Sequence, residues 1–315
     1  MNYRLFVTTA AIAIASLTGC SGSQPPIGVS WGPQNAVVRK DLTLLYVTEQ
    51  VNGDVYMVAL PSGKLVGKLT GFDYATGDCV DALGDVFVSS FYAGQVRAYA
   101  HGAKVAFRVL SDGPSYPYGC SVDPTTGNLA VSNWPIDSSE GGVMVYYKAK
   151  GKAHHYYYGY AGGPDFWYCA YDSDGDLYAE TTDGNQPIFL ELAKGGDKLR
   201  PVSLHPAIIG DGVPPPLSWD GKYLVIAKPA AGAIYQYRMS GGTGTRVGVV
   251  KLDKASGVFG PFWIASNGTT RTLYVPITED SVESVGVYRY PSVGKRLQNL
   301  YDVPLPFAAA VSRPK

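Results

Sequence analysis

A pattern of alternating apolar and polar residues, interrupted by short turns, recurs along most of the chain. Its first form is a strand, a turn and a second strand, with turns made of Asp, Gly, Asn and Thr. Five stretches show it: CVDALGDVFVSS (79–90), CSVDPTTGNLAVSN (120–133), CAYDSDGDLYAET (169–181), LSWDGKYLVIAK (217–228) and IASNGTTRTLYVPI (264–277). Alternation with a period of two is typical of β-strands, so each stretch predicts a hairpin. The segment DSDGD (172–176) is one of these turns rather than a calcium loop, because the glutamate and spacing of an EF-hand do not follow it.

A second hairpin recurs between these stretches and ends in a Gly-containing turn. Its six copies are GDVYMVALPSGK (53–64), GQVRAYAHGAK (94–104), GVMVYYKAKGK (142–152), PIFLELAKGGDK (187–198), AIYQYRMSGGTGT (233–245) and VGVYRYPSVGK (285–295). They are spaced by roughly 40 to 50 residues, which is the length of one four-stranded propeller blade. The chain is therefore predicted to be all-β, with a six-bladed β-propeller of four-stranded blades over residues 36–315.

The C-terminus is predicted to close the ring. PFAAAVS (306–312) is similar to PFWIASN (261–267), the start of the last blade, so it would supply the innermost strand of the first blade, beside strands around Leu44 to Thr70. Ala36 to Val38 offers an alternative inner strand. In blade layout, residues 36 to 315 resemble the NHL-like and SMP-30-like propeller group, without a signature that names an activity.

The N-terminus has the form of an export signal. A short basic region (Met1 to Arg4) precedes the apolar run LFVTTAAIAIAS, which is too short to span a membrane. It leads into LTGC (Leu17 to Cys20), which resembles the lipobox of bacterial lipoproteins. The resemblance implies cleavage before Cys20 and acylation, palmitate included, of that residue. Residues 1–19 would be the signal peptide and residues 20–35, rich in Ser, Gly and Pro, a flexible tether.

Composition restricts the classes of partner. Lys and Arg together number 26, as do Asp and Glu, so the chain has neither the basic excess nor the basic stripe of a nucleic-acid binder. We therefore expect no nucleic-acid partner. From the lipobox resemblance we expect the protein in the cell envelope, on the extracytoplasmic side of a bacterial membrane, with the lipid as its membrane contact. We also expect a monomer without a cofactor. The sequence leaves open which membrane it is.

The segment AHHYYYGYAGGPDFWYCAYD (153–172) is rich in groups that could bind a metal or a sugar. His154 and His155 are adjacent, so in a strand they point to opposite faces and do not share a metal. We therefore predict aromatic structural strands here. Cys79, Cys120 and Cys169 lie near the starts of three inner strands. Because neighbouring inner strands diverge, we expect buried free thiols, with a disulfide or a zinc site as alternatives.

The turns fall on two faces of the predicted propeller. The short-turn face combines Lys64, Lys104, Lys152 and Lys198 with Asp81, Asp123, Asp172 and Asp220, a mixture that argues against a basic membrane-docking surface. The opposite, long-loop face is expected to bind a protein or a glycan, because binding residues concentrate on long loops. Its candidate residues are Phe91, Tyr92, Tyr116, Asn133, Trp134, Asp165, Phe166 and Asp211.

A non-catalytic binding module is the favoured function. The SMP-30-like resemblance implies an alternative, a metal-dependent hydrolase or lactonase, whose metal ligands would be Glu49, Asn133, Asp165 and Asp211. The EGP motif of that group is missing, since the chain reads WGPQNAVV there, and no Gly-x-Ser-x-Gly elbow occurs.

Overall fold

Antiparallel β-hairpins make up nearly all of the chain after Lys40. The computed structural model describes residues 40–111, 113, 115–136, 141–159, 163–184, 186–210, 212, 214–253, 255, 260–279, 282–292, 295–300 and 303–315. The predicted signal peptide, Cys20, the tether, the alternative strand Ala36 to Val38, and Asp211 lie outside the described residues. Two one-turn 3₁₀ segments, Tyr147–Ala149 and Pro229–Ala231, accompany the strands. Among the described residues no helix is long and apolar enough to cross a bilayer.

Twenty-four strands occur in the described part of the chain. In chain order they are β1 (Thr43–Glu49), β2 (Asp54–Leu60), β3 (Lys64–Leu69), β4 (Ala75–Val80), β5 (Val86–Ser90), β6 (Gln95–Tyr99), β7 (Arg108–Ser111), β8 (Ser115–Val122), β9 (Leu129–Pro135), β10 (Gly142–Tyr146), β11 (His154–Tyr157), β12 (Phe166–Tyr171), β13 (Leu177–Asp183), β14 (Gln186–Leu192), β15 (Arg200–His205), β16 (Leu217–Trp219), β17 (Leu224–Lys228), β18 (Ala233–Ser240), β19 (Thr243–Lys251), β20 (Trp263–Asn267), β21 (Thr270–Glu279), β22 (Val282–Tyr290), β23 (Arg296–Leu300) and β24 (Pro306–Ser312).

Hydrogen bonding divides these strands into four-stranded groups. The orders are β24-β1-β2-β3, β4-β5-β6-β7, β11-β10-β9-β8 and β20-β21-β22-β23, and one eight-stranded sheet has the order β12-β13-β14-β15-β19-β18-β17-β16. In that larger sheet the outer strands β15 and β19 pair in parallel, with residues 203–205 opposite residues 243–245. It therefore consists of two four-stranded groups, β12–β15 and β16–β19, joined at their outer edges.

The last strand belongs to the same sheet as the first. β24 pairs antiparallel with β1, from Leu44 opposite Ser312 to Glu49 opposite Pro306. The backbone N–H of Ala308 also donates to the Thr48 hydroxyl at 3.0 Å. The prediction that residues 306–312 complete the first sheet is confirmed.

Apolar clusters lie between successive four-stranded groups of the described residues. Pairs that represent them are Tyr46 and Val88, Phe87 and Leu129, Val143 and Leu190, Phe189 and Leu224, Val225 and Leu273, and Val285 and Val47. Strands such as β1 and β2 are buried on both faces, whereas the outer strand β15 alternates exposed and buried residues. Since the sixth group also packs against the first, the groups follow one another in a propeller-like arrangement.

The short turns that follow the first strand of a group are held by an aspartate. In the DSDGD segment, Asp172 Oδ1 accepts the backbone N–H groups of Asp174, Gly175 and Asp176 at 2.8 to 2.9 Å. The equivalent Asp220 accepts the N–H groups of Lys222 and Tyr223. These carboxylates therefore serve the turn itself, as predicted for this segment.

Two of the cysteines form a disulfide, contrary to the expectation of free thiols. Cys79 on β4 is bonded to Cys120 on β8, with their Cα atoms 5.8 Å apart, and Cys169 is a buried free thiol. The first strands approach one another because glycines stand at the contact. A Cβ on Gly77 would lie 2.6 Å from the Tyr118 carbonyl oxygen, and one on Gly119 would lie 2.8 Å from the Trp167 carbonyl oxygen.

The histidine- and tyrosine-rich segment forms strand β11 at a sheet edge, as an aromatic structural strand should. His155 pairs opposite Met144, and burial together with the neighbouring His154 lowers the pKa of its imidazole to about 4. Tyr156 packs against the apolar cluster that contains Val143.

Candidate functional site

Aromatic rings from several sheets meet at the end of the propeller axis that carries the long loops. Phe91 is stacked on Tyr116 at 4.7 Å between ring centroids, and Tyr118 is stacked on Trp134 at 5.3 Å with an angle of 6°. Further edge contacts join the rings of this aromatic cluster, which comprises Tyr74, Phe91, Tyr92, Tyr116, Tyr118, Trp134, Trp167, Tyr168 and Phe307. The rings come from loops and from strands β8, β9, β12 and β24, so the cluster fills this end of the axis.

Four of the predicted binding residues belong to this cluster. Phe91, Tyr92, Tyr116 and Trp134 contact one another there. Tyr92 is exposed, whereas Tyr116 and Trp134 are half-buried. These four predicted residues therefore lie together, and their mutual packing limits the ring surface that they present to a ligand.

Phe91, Asn133 and Phe166 are buried, so the expectation that they face solvent is wrong. Phe91 is enclosed by the other rings of the aromatic cluster. The Asn133 side-chain oxygen accepts a hydrogen bond from the Ser115 hydroxyl, and its amide nitrogen donates to the Val131 carbonyl, so the amide group is held inside the sheet. Phe166 begins strand β12 with its ring in the apolar cluster of Val143 and Leu190, because its side chain points between two groups of strands.

Two of the four proposed metal ligands, Glu49 and Asn133, bind local backbone groups instead. Glu49 is fully buried, and its carboxylate accepts the N–H of Val51 at 2.7 Å and that of Asn52 at 2.9 Å. Burial raises the pKa of the Asp165 carboxyl, and the main-chain carbonyl of Asp165 accepts the Thr181 hydroxyl. Among the described residues, no group of three or more His, Cys, Asp or Glu side chains is placed to hold a metal ion.

Beneath the rings lies a buried carboxyl that sequence reasoning missed. The Glu180 side chain is fully buried on β13 and neither oxygen has a hydrogen-bond partner among the described residues. Burial raises the pKa of this carboxyl well above its usual range. The hydroxyls of Tyr118 and Tyr168 hydrogen-bond each other within range of its charge. The position of Glu180 two residues after Tyr178 in an alternating strand was a signal that it shares a buried face.

Asp78 on β4 is a second carboxyl of this kind. Its side chain is buried, and among the described residues it has no partner besides its own backbone N–H. Burial raises the pKa of this carboxyl well above its usual range. Both carboxyls therefore carry a desolvation cost in the fold, and Asp78 also contributes to the wall of the cavity at the other end of the axis.

A cavity of about 320 Å³ lies at the opposite end of the axis. Its walls come from first strands and from the short turns that follow them, including Ser121, Tyr171, Trp219 and Trp263. Two of its carboxylates are already used, since Asp172 binds its own turn and Asp220 accepts the Tyr290 hydroxyl at 2.7 Å and the Gln236 amide at 3.1 Å. Its size is at the lower end of small-molecule pockets.

No protein-family model matches the chain, and no curated protein matches it. Solved structures resemble it over most of its length. A chain in the crystal structure of a nidogen/laminin complex superposes with a TM-score of 0.63 at 14% identity, covering 87% of this chain and 99% of that one. A protein of unknown function from Bacteroides caccae gives a TM-score of 0.63 at 13% identity, covering 86% and 99%. The β-propeller domain of Myceliophteria thermophila Cps50 (Swd1) gives 0.55 at 12%, covering 87% of each chain.

The chain has a β-propeller fold. At these identities the likeness establishes the fold alone. Membership of the NHL-like or SMP-30-like group stays a prediction from blade layout.

Proposed function

We propose that this protein is a six-bladed propeller, anchored through a lipid on Cys20 outside the cytoplasm, that binds a protein partner on its long-loop face. The observation that carries the binding role is the aromatic cluster. Tyr92 is exposed by 57% on a base of tightly packed rings. An aromatic side chain held rigidly at a surface gains contact area with little loss of conformational entropy, which suits a protein interface.

The six-blade count has its support in the strand groups. Each apolar cluster between groups has the composition of an inter-blade core, and the eight-stranded sheet separates into two blades at the parallel pairing of β15 with β19. The blade that combines β24 with β1–β3 is the closure expected for a propeller ring.

One of the structural neighbours favours a binding role over a catalytic one, since it is a chain from a complex of nidogen with laminin. The hydrolase alternative has no comparable support, because Glu49 and Asn133 are committed to the local backbone.

The binding role is tested by comparing two exposed tyrosines. Tyr92→Ala removes the ring on the aromatic cluster, and Tyr157→Ala removes a ring of similar exposure (51%) on the outer strand β11. Envelope extract is passed over each immobilised variant and bound proteins are quantified. We expect a set of proteins retained by the wild type and by Tyr157→Ala and depleted with Tyr92→Ala. Equal retention by all three would contradict a binding site at Tyr92.

The anchor is tested separately with Cys20→Ser. We expect the unchanged chain to carry acyl groups on Cys20 by mass spectrometry and to fractionate with membranes, and Cys20→Ser to lose both. An unmodified Cys20 would contradict the anchor and leave the binding role untouched.

A further inference from the structure

Exposed apolar side chains gather on the outer strands of two neighbouring groups. Val105, Phe107 and Val109, at and before strand β7, are exposed by 79%, 48% and 53%. Tyr147, in the 3₁₀ segment after β10, is exposed by 64%. The three residues around β7 alternate along the chain, so their side chains stand on one face.

The two segments touch each other. Arg108 Nη1 donates to the Ala149 carbonyl at 2.9 Å, which links the start of β7 to the 3₁₀ segment. Each segment also pairs a cation with its exposed ring, Arg108 with Phe107 at 5.2 Å and Lys148 with Tyr147 at 5.5 Å. The Arg108 guanidinium therefore lies between the Phe107 ring and the 3₁₀ segment that carries Tyr147. We call Val105, Phe107, Val109 and Tyr147, together with the cations beside them, the basic-apolar patch.

Positive charge dominates around this patch. Residues 94–111 and 141–159 contain no Asp or Glu. Five cations lie at the ends of these hairpins: Lys104, Arg108, Lys148, Lys150 and Lys152. Asp85, on a neighbouring turn, is close enough to Arg108 for the two charges to interact, which leaves a clear positive excess.

Three of the four aspartates in the short turns are withdrawn from the surface. Asp123, Asp172 and Asp220 are buried, and Asp123 accepts the hydroxyls of Thr125 and Thr126 within its own turn. Asp81 is half-buried and accepts the N–H groups of Leu83 and Asp85 within its turn. The mixture of lysines and aspartates predicted for this face is therefore weaker than the residue count suggests, which leaves room for a basic docking surface.

The N-terminal segment enters the fold beside this patch. His101, in the turn between β6 and β7, donates from Nε2 to the Leu42 carbonyl at 3.0 Å, and the N–H of Gly102 donates to the Tyr46 hydroxyl at 2.9 Å. Lys40 is twenty positions after Cys20. Twenty residues span at most about 70 Å even when fully extended. An anchor on Cys20 would thus keep this edge of the propeller within that distance of the bilayer.

We propose that the basic-apolar patch docks on the surface of a membrane containing anionic phospholipids. Phe107, Tyr147 and Val105 enter the headgroup region, and Lys148, Lys150 and Lys152 bind lipid phosphates. Aromatic and aliphatic residues flanked by Lys and Arg are the composition of interfacial membrane-binding surfaces. The claim that this edge faces the membrane in the cell rests on the proposed anchor at Cys20. The affinity of the patch for anionic lipid does not depend on that anchor.

The test uses residues 37–315, which form a compact unit that contains the partners of every described strand. Binding to phosphatidylcholine vesicles is measured with and without phosphatidylglycerol, by sedimentation. We expect binding only to the anionic vesicles, weakening as salt is added. The pair Lys148→Gln and Lys150→Gln should reduce affinity about 30-fold. The pair Val105→Ser and Phe107→Ser should reduce it at least about tenfold.

A matched control removes exposed apolar groups elsewhere. Val247 and Val249 are exposed on β19, in another group of strands, and lie beside Arg246. Val247→Ser with Val249→Ser should bind anionic vesicles as the unchanged domain does. Absence of binding to anionic vesicles, or equal binding by the patch and control variants, overturns the proposal. Because this domain lacks Cys20, these results are independent of the anchor test.

Discussion

Cys79 and Cys120 covalently join the first strands of two successive sheets, with 41 positions between them. Disulfides persist in oxidising compartments and are rare in the cytosol. The bond is therefore consistent with the export predicted from the N-terminal sequence, and it comes from an unrelated part of the chain.

Removing this disulfide should destabilise the fold without preventing it. For a loop of this length the loss of the cross-link is worth about 2 to 4 kcal/mol in the free energy of unfolding. Cys79→Ser with Cys120→Ser should show this loss in guanidinium unfolding, and the unchanged protein should approach the same stability under dithiothreitol. Cys169→Ala is the control, because the difference in stability between this variant and the unchanged protein should be the same with and without dithiothreitol. Insensitivity of the unchanged protein to dithiothreitol would contradict the bond.

Replacing Glu180 by Met should stabilise the protein at neutral pH. The buried carboxyl lacks a partner, and removing such a group recovers its desolvation penalty, about 1 to 3 kcal/mol. Because the folded pKa is raised, its stabilising contribution is complete below the unfolded pKa and is lost as pH rises towards the folded pKa. Urea unfolding at pH 5 and pH 8 should show a smaller decline with pH for Glu180→Met than for the unchanged chain. Parallel declines would indicate that Glu180 has a cationic partner.

Two tyrosines of the aromatic cluster should differ sharply in their effect on stability. Tyr118 is buried between Trp134 and Phe307, so Tyr118→Ala should cost about 3 to 5 kcal/mol. Tyr92 is exposed, so Tyr92→Ala should cost less than about 1 kcal/mol. Thermal unfolding followed by tryptophan fluorescence distinguishes them. Similar melting temperatures for the two variants would contradict the burial of Tyr118 in the aromatic cluster and the exposure of Tyr92 on its surface.

Chelation should leave the domain unchanged. Glu49 and Asn133 bind backbone groups rather than converging on an ion. We expect substoichiometric metal in the purified protein and the same melting temperature with EDTA, Ca²⁺ or Zn²⁺. A stoichiometric ion whose removal lowers the melting temperature would revive the hydrolase hypothesis and direct attention to lactone and ester substrates.

The sequence predicted the strands well because each hairpin has a local pattern of alternating residues and turn residues. Alternating apolar residues and Asp-Gly turns located β12–β13 and β16–β17, and the likeness of residues 306–312 to 261–267 revealed how the first sheet is completed. These features depend on neighbours in the chain or on repetition, which one sequence displays.

The sequence could not predict how closely neighbouring sheets approach one another. The Cys79–Cys120 bond depends on Gly77 and Gly119 meeting backbone across a sheet boundary, and periodicity carries no information about that contact. Burial of Phe91 likewise depends on rings from three other segments. The sequence could thus predict which loops carry the aromatic residues, while the accessibility of each residue followed from tertiary packing.

The pairing of β24 with β1 also bears on how the protein is made. A chain delivered N-terminus first cannot complete its first sheet until residues 306–312 arrive. Until then, one edge of strand β1 has no partner strand. Late completion delays stable folding, because contacts between distant parts of a chain form slowly. If the chain is exported unfolded, as its N-terminal sequence predicts, this order of events keeps it from folding early. A chain that ends before Pro306 would expose an unpaired strand edge to aggregation.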